Sequence, residues 1–260
     1  MSGRISVEKE GALGWLIFDH ESRRNAITAE MWRAIPGAAR EIDEDPDVRV
    51  VILRGAGETA FVSGADISEF EKLRSGDAAR AYDRNNGSAF GALAAIAKPV
   101  IALIHGFCVG GGCAIALTAD LRYAADDAVF AIPAARLGLG YPAQGLEMLA
   151  RTVGLPAAKE IFLTARRLTA PEALSRNLVN EVLPKAKLEA HVRRVAEGLA
   201  GNAPLTLRAA KRILGDLGRS TGEREEGAWA AAIDACYASA DYAEGVRAFL
   251  EKRAPRFEGR

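Results

Sequence analysis

The chain has only three cysteines, Cys108, Cys113 and Cys236, an odd and small number that argues against a disulfide framework. Two of them sit in an apolar segment, so free thiols in a reducing compartment are expected, and with them a cytoplasmic location. The Cys-x4-Cys spacing, with no histidine pair nearby, makes a poor zinc site. Histidine is equally scarce, at three residues, and no metal-binding or Ser-His-Asp constellation is visible. No apolar run reaches the ~18 residues of a membrane-crossing helix. Met1–Glu10 is polar and lacks the apolar core of a secretory signal. An excess of one charge is also missing. The 34 basic residues cancel the 34 acidic ones, so no long-range field draws the chain to nucleic acid or to an anionic membrane. The basic pairs Arg166-Arg167, Arg193-Arg194 and Lys211-Arg212 read as solvated helix faces rather than an RNA-binding surface. No internal repeat or low-complexity linker divides the sequence.

What is present is an ordinary globular balance over 260 residues, 49% hydrophobic and 26% charged, enough for one large α/β domain or a domain with a small appendage. Trp15–Phe18, Arg49–Arg54 and Pro99–Ile104 read as strands, and their unbroken apolarity predicts burial on both faces. Phe130–Ala131 is a further short candidate. Thr28–Asp45 carries Met31, Trp32, Ile35, Ala38, Ala39 and Ile42 on one helical face, with Thr28 as N-cap and Pro36 predicting a kink or a late start. Helices are also expected over Asp77–Ala97 and Gly111–Ala119. After the Gly/Pro-rich stretch Pro133–Gly145 they are expected over Leu146–Val153, Ala157–Thr164, Pro171–Arg176, Lys187–Ala200, Pro204–Leu217 and Glu223–Arg253. β/α units thus fill the first ~145 residues, and a mostly helical remainder follows.

Two glycine-containing turns carry the chemical interest. Phe61–Ile67 follows the second strand. Gly64 and Ala65 let backbone approach a ligand, and Asp66 is placed to cap Ser68–Leu73, although a plain strand-to-helix turn would explain the same residues. His105–Cys113 follows the third strand and brings Gly110, Gly111 and Gly112 into a helix start, where unpaired N–H groups and the helix dipole suit an anion or a developing oxyanion. Tight helix–sheet packing is the alternative there. The Gly-Lys-Ser/Thr ending of a phosphate loop and the Gly-x-Gly-x-x-Gly of a dinucleotide site are both absent. Two amides converging on one carbonyl oxygen at strand C-terminal ends would serve acyl chemistry.

With these turns in hand, the sequence resembles the enoyl-CoA hydratase/isomerase (crotonase) superfamily over nearly its whole length. The resemblance is carried by Arg24-Asn25-Ala26, Phe61–Ile67, Lys98–Ala102, Gly106 with Gly110–Cys113, Ala165–Arg167 through Ala170–Ala173, Leu178–Val182 and Phe249–Arg253. It implies an α/β fold, a crotonase/ClpP-like spiral of ββα units over residues 1–195, with a helical C-terminal trimerisation region over 196–260. It also implies an acyl-CoA thioester as substrate, coenzyme A being part of that substrate rather than a cofactor, and a homotrimer or dimer of trimers. The Ala65 and Gly111 amides would hold the thioester oxygen. Arg24, Ala26, Gly64, Ala65, Asp66 and Ile67 would contact coenzyme A, and Lys252 in the last helix would meet its nucleotide end.

The sequence departs from the family pattern where the hydratases keep two glutamates: it has Ala114 after Gly-Gly-Cys and Ala134 after Pro133. Alanine neither moves a proton nor orients a water. Tyr141 is the expected catalytic side chain in their stead, since it loosely resembles a tyrosine of the family's malonyl-type decarboxylases. Those enzymes often carry histidine where Ala65 stands. Glu147 and Arg136 are weaker candidates, and Asp66, Glu69 and His105 read as capping or structural groups. The functions in view are therefore an enolate-forming lyase, isomerase or decarboxylase, or a non-catalytic acyl-CoA binder.

Overall fold

In the computed structural model, residues 3–70, 76–218 and 221–260 are described, so the end of the expected Ser68–Leu73 segment lies outside the described residues. Strands β1 (Arg4–Glu10), β2 (Leu13–Asp19), β3 (Val50–Gly55), β5 (Val100–Ile104), β7 (Leu121–Ala125) and β10 (Glu181–Leu183) form one sheet, in the order β1-β2-β3-β5-β7-β10. Strands β4 (Ala60–Val62), β6 (Phe107–Val109), β8 (Val129–Ala131) and β9 (Leu168–Thr169) form a second, in the order β4-β6-β8-β9. The helices are α1 (Ala29–Glu44), α2 (Gly76–Ala94), α3 (Gly111–Thr118), α4 (Ala143–Thr164), α5 (Ala170–Ser175), α6 (Lys185–Ala200), α7 (Pro204–Leu217), α8 (Glu226–Tyr237) and α9 (Ala240–Leu250). Each winding of the chain gives one strand to the large sheet, one to the small sheet, and then a helix: β3-β4-α2, β5-β6-α3, β7-β8-α4. This is the expected ββα spiral, and its repeated direction makes β2, β3, β5, β7 and β10 parallel.

The register explains the unbroken apolar runs. Trp15, Ile52, Ile101 and Leu121 lie side by side across the sheet. With Val50 and Leu103, three of them pack on one face against Leu188, Val192 and Ala196 of α6. Their alternate neighbours Leu16, Phe18, Val51, Leu53, Ala102 and Ile104 enter the main core on the other face. Both faces are covered, so period-2 alternation disappears from the sequence. Phe18 meets Phe61 edge-on at 5.8 Å and ties the two sheets together.

Several elements differ from expectation. The polar N-terminus forms the antiparallel edge strand β1; an edge strand with one wet face needs few apolar residues, so RISVEKE gives a weak signal. The short strands β4, β6, β9 and β10 and the strand β7 were likewise not anticipated as strands. Helix α1 starts at Ala29, capped by the Thr28 side chain, and continues through Pro36 without a late start. The expected pair Leu146–Val153 and Ala157–Thr164 forms one element, α4, bent at Gly154 (φ 77°, ψ 157°). The expected Glu223–Arg253 helix is two helices, because Ser239 leaves the helical conformation and caps α9. Lys252 is therefore not in the last helix: it stands beyond Leu250 in a left-handed turn (φ 57°). Helix α6 crosses the expected boundary at residues 195 and 196 unbroken.

Lys98 is buried at the C-terminal end of α1. Its ammonium donates to the Ile42 and Asp45 carbonyls (3.0 and 2.6 Å), where the dipole of α1 favours a cation. At the other end of the chain, α7–α9 expose a large apolar face, with Phe249 83% and Leu250 74% accessible. Among the described residues no helix is long and apolar enough to cross a membrane.

Candidate active site

Three loops converge at one end of the small sheet. The first, Glu21–Ile27, places Arg24 and Asn25 in consecutive left-handed conformations (φ 54° and 55°). Buried Asn25 holds this turn: Oδ1 accepts from His20 N at 3.0 Å, and Nδ2 donates to the Ala56 and Ala60 carbonyls at 2.9 and 2.8 Å. The turn is thereby docked on the second loop, Ser63–Asp66, through Ser63 N to Arg24 O at 3.1 Å. Ile27 completes the junction, its N–H donating to Gly64 O (2.8 Å) and its carbonyl accepting from Asp66 N (2.9 Å). These two bonds bracket Ala65, whose own N–H has no partner among the described residues. Gly64 sits at φ 111°, and a methyl group there would come within 3.2 Å of the Val109 carbonyl.

The third loop is the entry to α3. Gly110 N donates to Ala131 O at 2.8 Å, and the first bond of the helix runs from Ala114 N to Gly110 O. Gly111 N, one residue inside the helix, is among the amides that a helix start leaves unpaired. Gly112 has a packing reason, because a methyl group there would strike the Val62 carbonyl of β4. At Gly111 a methyl group would stand 3.1 Å from the Trp32 indole, which forms the floor beneath the amide. Trp32 is itself held by Nε1 donating to Tyr82 Oη (3.1 Å) and by an edge-on Phe90 ring at 5.3 Å.

These loops surround a cavity of about 120 Å³. Of the residues singled out in the sequence, Gly64, Ala65, Ile67, Gly111 and Tyr141 line it, together with Ala134. Ile67 is 59% exposed, an apolar side chain left in solvent beside the opening. Arg24, Ala26 and Asp66 belong to the same loop cluster without lining the cavity. Arg24 is exposed, its guanidinium 4.6 Å from the Phe107 ring centre. Asp66 caps the turn that follows, accepting from Ser68 N (3.0 Å) and pairing with Arg23 (3.1 Å). Burial raises its pKa, but the Ser68 hydrogen bonds and the Arg23 charge outweigh burial and hold the carboxyl below its ordinary value. Lys252 stands apart from this cavity in the chain.

The Tyr141 ring packs edge-on against Phe162 at 5.3 Å, and burial pushes the phenol well above its ordinary pKa, so it stays protonated. Its hydroxyl makes no hydrogen bond to a described residue. Of the weaker candidates, Glu147 pairs with Arg151 on the α4 surface, and Glu69 accepts from Ala29 N at 2.7 Å, capping α1. His105 is buried with neither ring nitrogen bonded to a described residue, and burial lowers its pKa. At least one member of each basic pair is engaged with acids: Arg166 with Glu160 and Glu172, Arg193 with Glu10 and Glu189, Lys211 with Asp120, Arg212 with Glu225. Among the described residues no group of three or more His, Cys, Asp or Glu could hold a metal ion.

The sequence did not single out Asn86 and Asp83, which line the cavity from α2. A signal existed for Asn86: Tyr82, Asn86, Phe90 and Leu93 share the buried side of α2, and one of them is a carboxamide.

Comparison with known proteins bears on the whole chain. The enoyl-CoA hydratase/isomerase family model matches residues 8–260. A short-chain-enoyl-CoA hydratase of Clostridium acetobutylicum is 32% identical, over 96% of this chain and 95% of that one. A peroxisomal Δ(3,5)-Δ(2,4)-dienoyl-CoA isomerase of Arabidopsis thaliana is 34% identical, over 97% and 95%. The crystal structure of an enoyl-CoA hydratase/carnithine racemase from Magnetospirillum magneticum superposes with a TM-score of 0.92, at 37% identity, over 98% of this chain and 96% of that one. The chain is an enzyme of the enoyl-CoA hydratase/isomerase family.

Proposed function

We propose that the cavity holds the acyl end of an acyl-CoA thioester, whose carbonyl oxygen accepts hydrogen bonds from Ala65 N–H and Gly111 N–H as an enolate forms. One observation carries this: Ala65 and Gly111, whose backbone amides bond to no described residue and one of which stands at a helix start, line the same small cavity. Preorganised donors of this kind act on charge that appears only in the transition state, and they need no rearrangement to do so. Coenzyme A would lie along the loop cluster of Arg24, Ala26, Gly64, Asp66 and Ile67, with no separate cofactor. Lys252, remote within one chain, would reach its nucleotide end from a neighbouring subunit. The three free cysteines fit a cytoplasmic setting.

The proton chemistry favours decarboxylation as the specific reaction. Neither Ala114 nor Ala134 supplies a carboxylate, so water activation and base-driven double-bond shift lack their usual group. Loss of CO2 needs no base: the bond between the α-carbon and the carboxylate breaks, its electron pair becomes the enolate, and the α-carbon then takes a proton. Protonated Tyr141 is suited to supply that proton and to be reprotonated by water. Turnover of methylmalonyl-CoA and of crotonyl-CoA separates the possibilities. CO2 release from the former is expected; efficient hydration of the latter would refute the argument from the two alanines. Tight binding of CoA thioesters without turnover of any would identify a binder that has lost its chemistry.

A further inference from the structure

Asn86 occupies a position that its fold does not explain. It is 8% exposed, lines the cavity, and lies between Tyr82 and Phe90, the two α2 residues that contact Trp32 beneath Gly111. Its Oδ1 is sealed from solvent and has no hydrogen-bond partner among the described residues. Asparagine is a poor helix former, and a buried amide with an unmet oxygen is less stable than leucine of similar volume. The same helix fills its other inward positions with Ala89, Phe90 and Leu93. A buried carboxamide without a partner, facing a cavity, is matched by chemistry brought in from outside the chain.

Most of the wall around Asn86 is apolar, with Trp32, Phe70, Phe90, Ile132 and Leu139 among its residues, and Ser63, Asp83 and Tyr141 bring its other polar side chains. A plain alkyl group there would desolvate the carboxamide further and give it nothing. Oδ1 is sealed while Nδ2 is not, so a hydroxyl or a carboxylate oxygen in the cavity would accept from Nδ2–H, and a hydroxyl would donate to Oδ1 only if the amide turned over. We propose that Asn86 selects acyl groups that bear an oxygen substituent, a hydroxyl or a carboxylate, over unsubstituted alkyl groups of the same length. The cavity volume of about 120 Å³ restricts these to short chains. The inference rests on the acyl-CoA assignment of the cavity and deepens it.

Calorimetric titration of the full chain with butyryl-CoA, 3-hydroxybutyryl-CoA and succinyl-CoA tests it, using wild type, Asn86→Leu and Asn86→Ala. Wild type is expected to bind one or both oxygenated thioesters about tenfold or more tighter than butyryl-CoA. Both variants should lose that preference, and Asn86→Leu should gain affinity for butyryl-CoA while melting no lower than wild type. Which of the two oxygenated thioesters is favoured tells hydroxyl recognition from carboxylate recognition. A wild-type preference for butyryl-CoA, or ratios that both variants leave unchanged, overturns the role of Asn86 and spares the acyl-CoA assignment. Failure of wild type to bind any of the three overturns both.

Discussion

Tyr141 shows how surroundings set what a side chain can do. In water a phenol is a weak acid; set against Phe162 in a small cavity it becomes weaker still, because burial penalises the anion. It can therefore donate a hydrogen bond or a proton across the neutral range and does not serve as a base. Tyr141→Phe keeps the ring packing and removes only the hydroxyl. On the decarboxylase assignment it should lower kcat on the order of 10²-fold, with a small change in KM. Equal kcat in the two proteins, measured with methylmalonyl-CoA, would return Tyr141 to the role of cavity wall. At this scale the sequence was informative where chemistry needs backbone. Gly64, Ala65 and Gly111 stand out in the sequence because small residues just after apolar strands let backbone approach a ligand. Asn86 does not, since its meaning depends on which neighbours leave its oxygen unmet, and that is a property of packing.

Among the elements, α3 matters most. Its N-terminus is positioned by contact rather than by a side-chain cap: Gly112 abuts the Val62 carbonyl, and Gly110 bonds to β8. Gly112→Ala would push the helix away from β4 and misdirect the Gly111 amide. Loss of a single oxyanion donor typically costs 10²–10³-fold in kcat, and a drop of about that size with CoA-thioester affinity largely kept is the expected result. A variant that turns over normally would show that the helix start does not aim the donor. Helix α1 was legible because Met31, Trp32, Ile35, Ala39 and Ile42 repeat one face, and β3 because Val50, Val51, Ile52 and Leu53 run unbroken. Strands of three residues such as β4 and β6 were not, because their pairing partners lie in other windings. The break at Ser239 went unread for a related reason: alanine-rich sequence on either side has high helix propensity, and a single serine cap decides the matter.

On the scale of the molecule, His105 couples the fold to pH. Burial lowers its pKa below the ordinary 6.5, and among nearby charges Glu58 and Asp127 oppose this while Lys185 and Arg54 add to it. The unfolded chain then binds the proton more readily than the native one. Stability from this source is complete above pH 6.5 and declines as pH falls from there toward the lowered value. Urea midpoints at pH 7.5 and 5.5 should differ less in His105→Leu than in wild type; an unchanged difference would assign the pH dependence elsewhere. The exposed apolar face of α7–α9 makes the second prediction at this scale. Phe249 and Leu250, both largely exposed, border a groove of about 710 Å³ lined mostly by apolar residues, and an exposed apolar face of this kind marks an interaction surface. We expect the C-terminal region, residues 196–260, to be covered by further copies of the chain in a trimer or a dimer of trimers. Light scattering should give a multiple of the 27.6 kDa chain for wild type and a smaller species for Phe249→Glu with Leu250→Glu. A monomeric wild type would contradict this.

The cavity draws its walls from successive windings: Trp32 precedes the first, Ala65 and Asn86 belong to it, Gly111 to the second, and Tyr141 to the third. A partly wound chain has nowhere to hold a thioester, so binding energy goes only to the finished coil. Ligand should thus protect the earliest and latest windings alike from hydrogen exchange, sharpening the unfolding transition instead of stiffening one local segment.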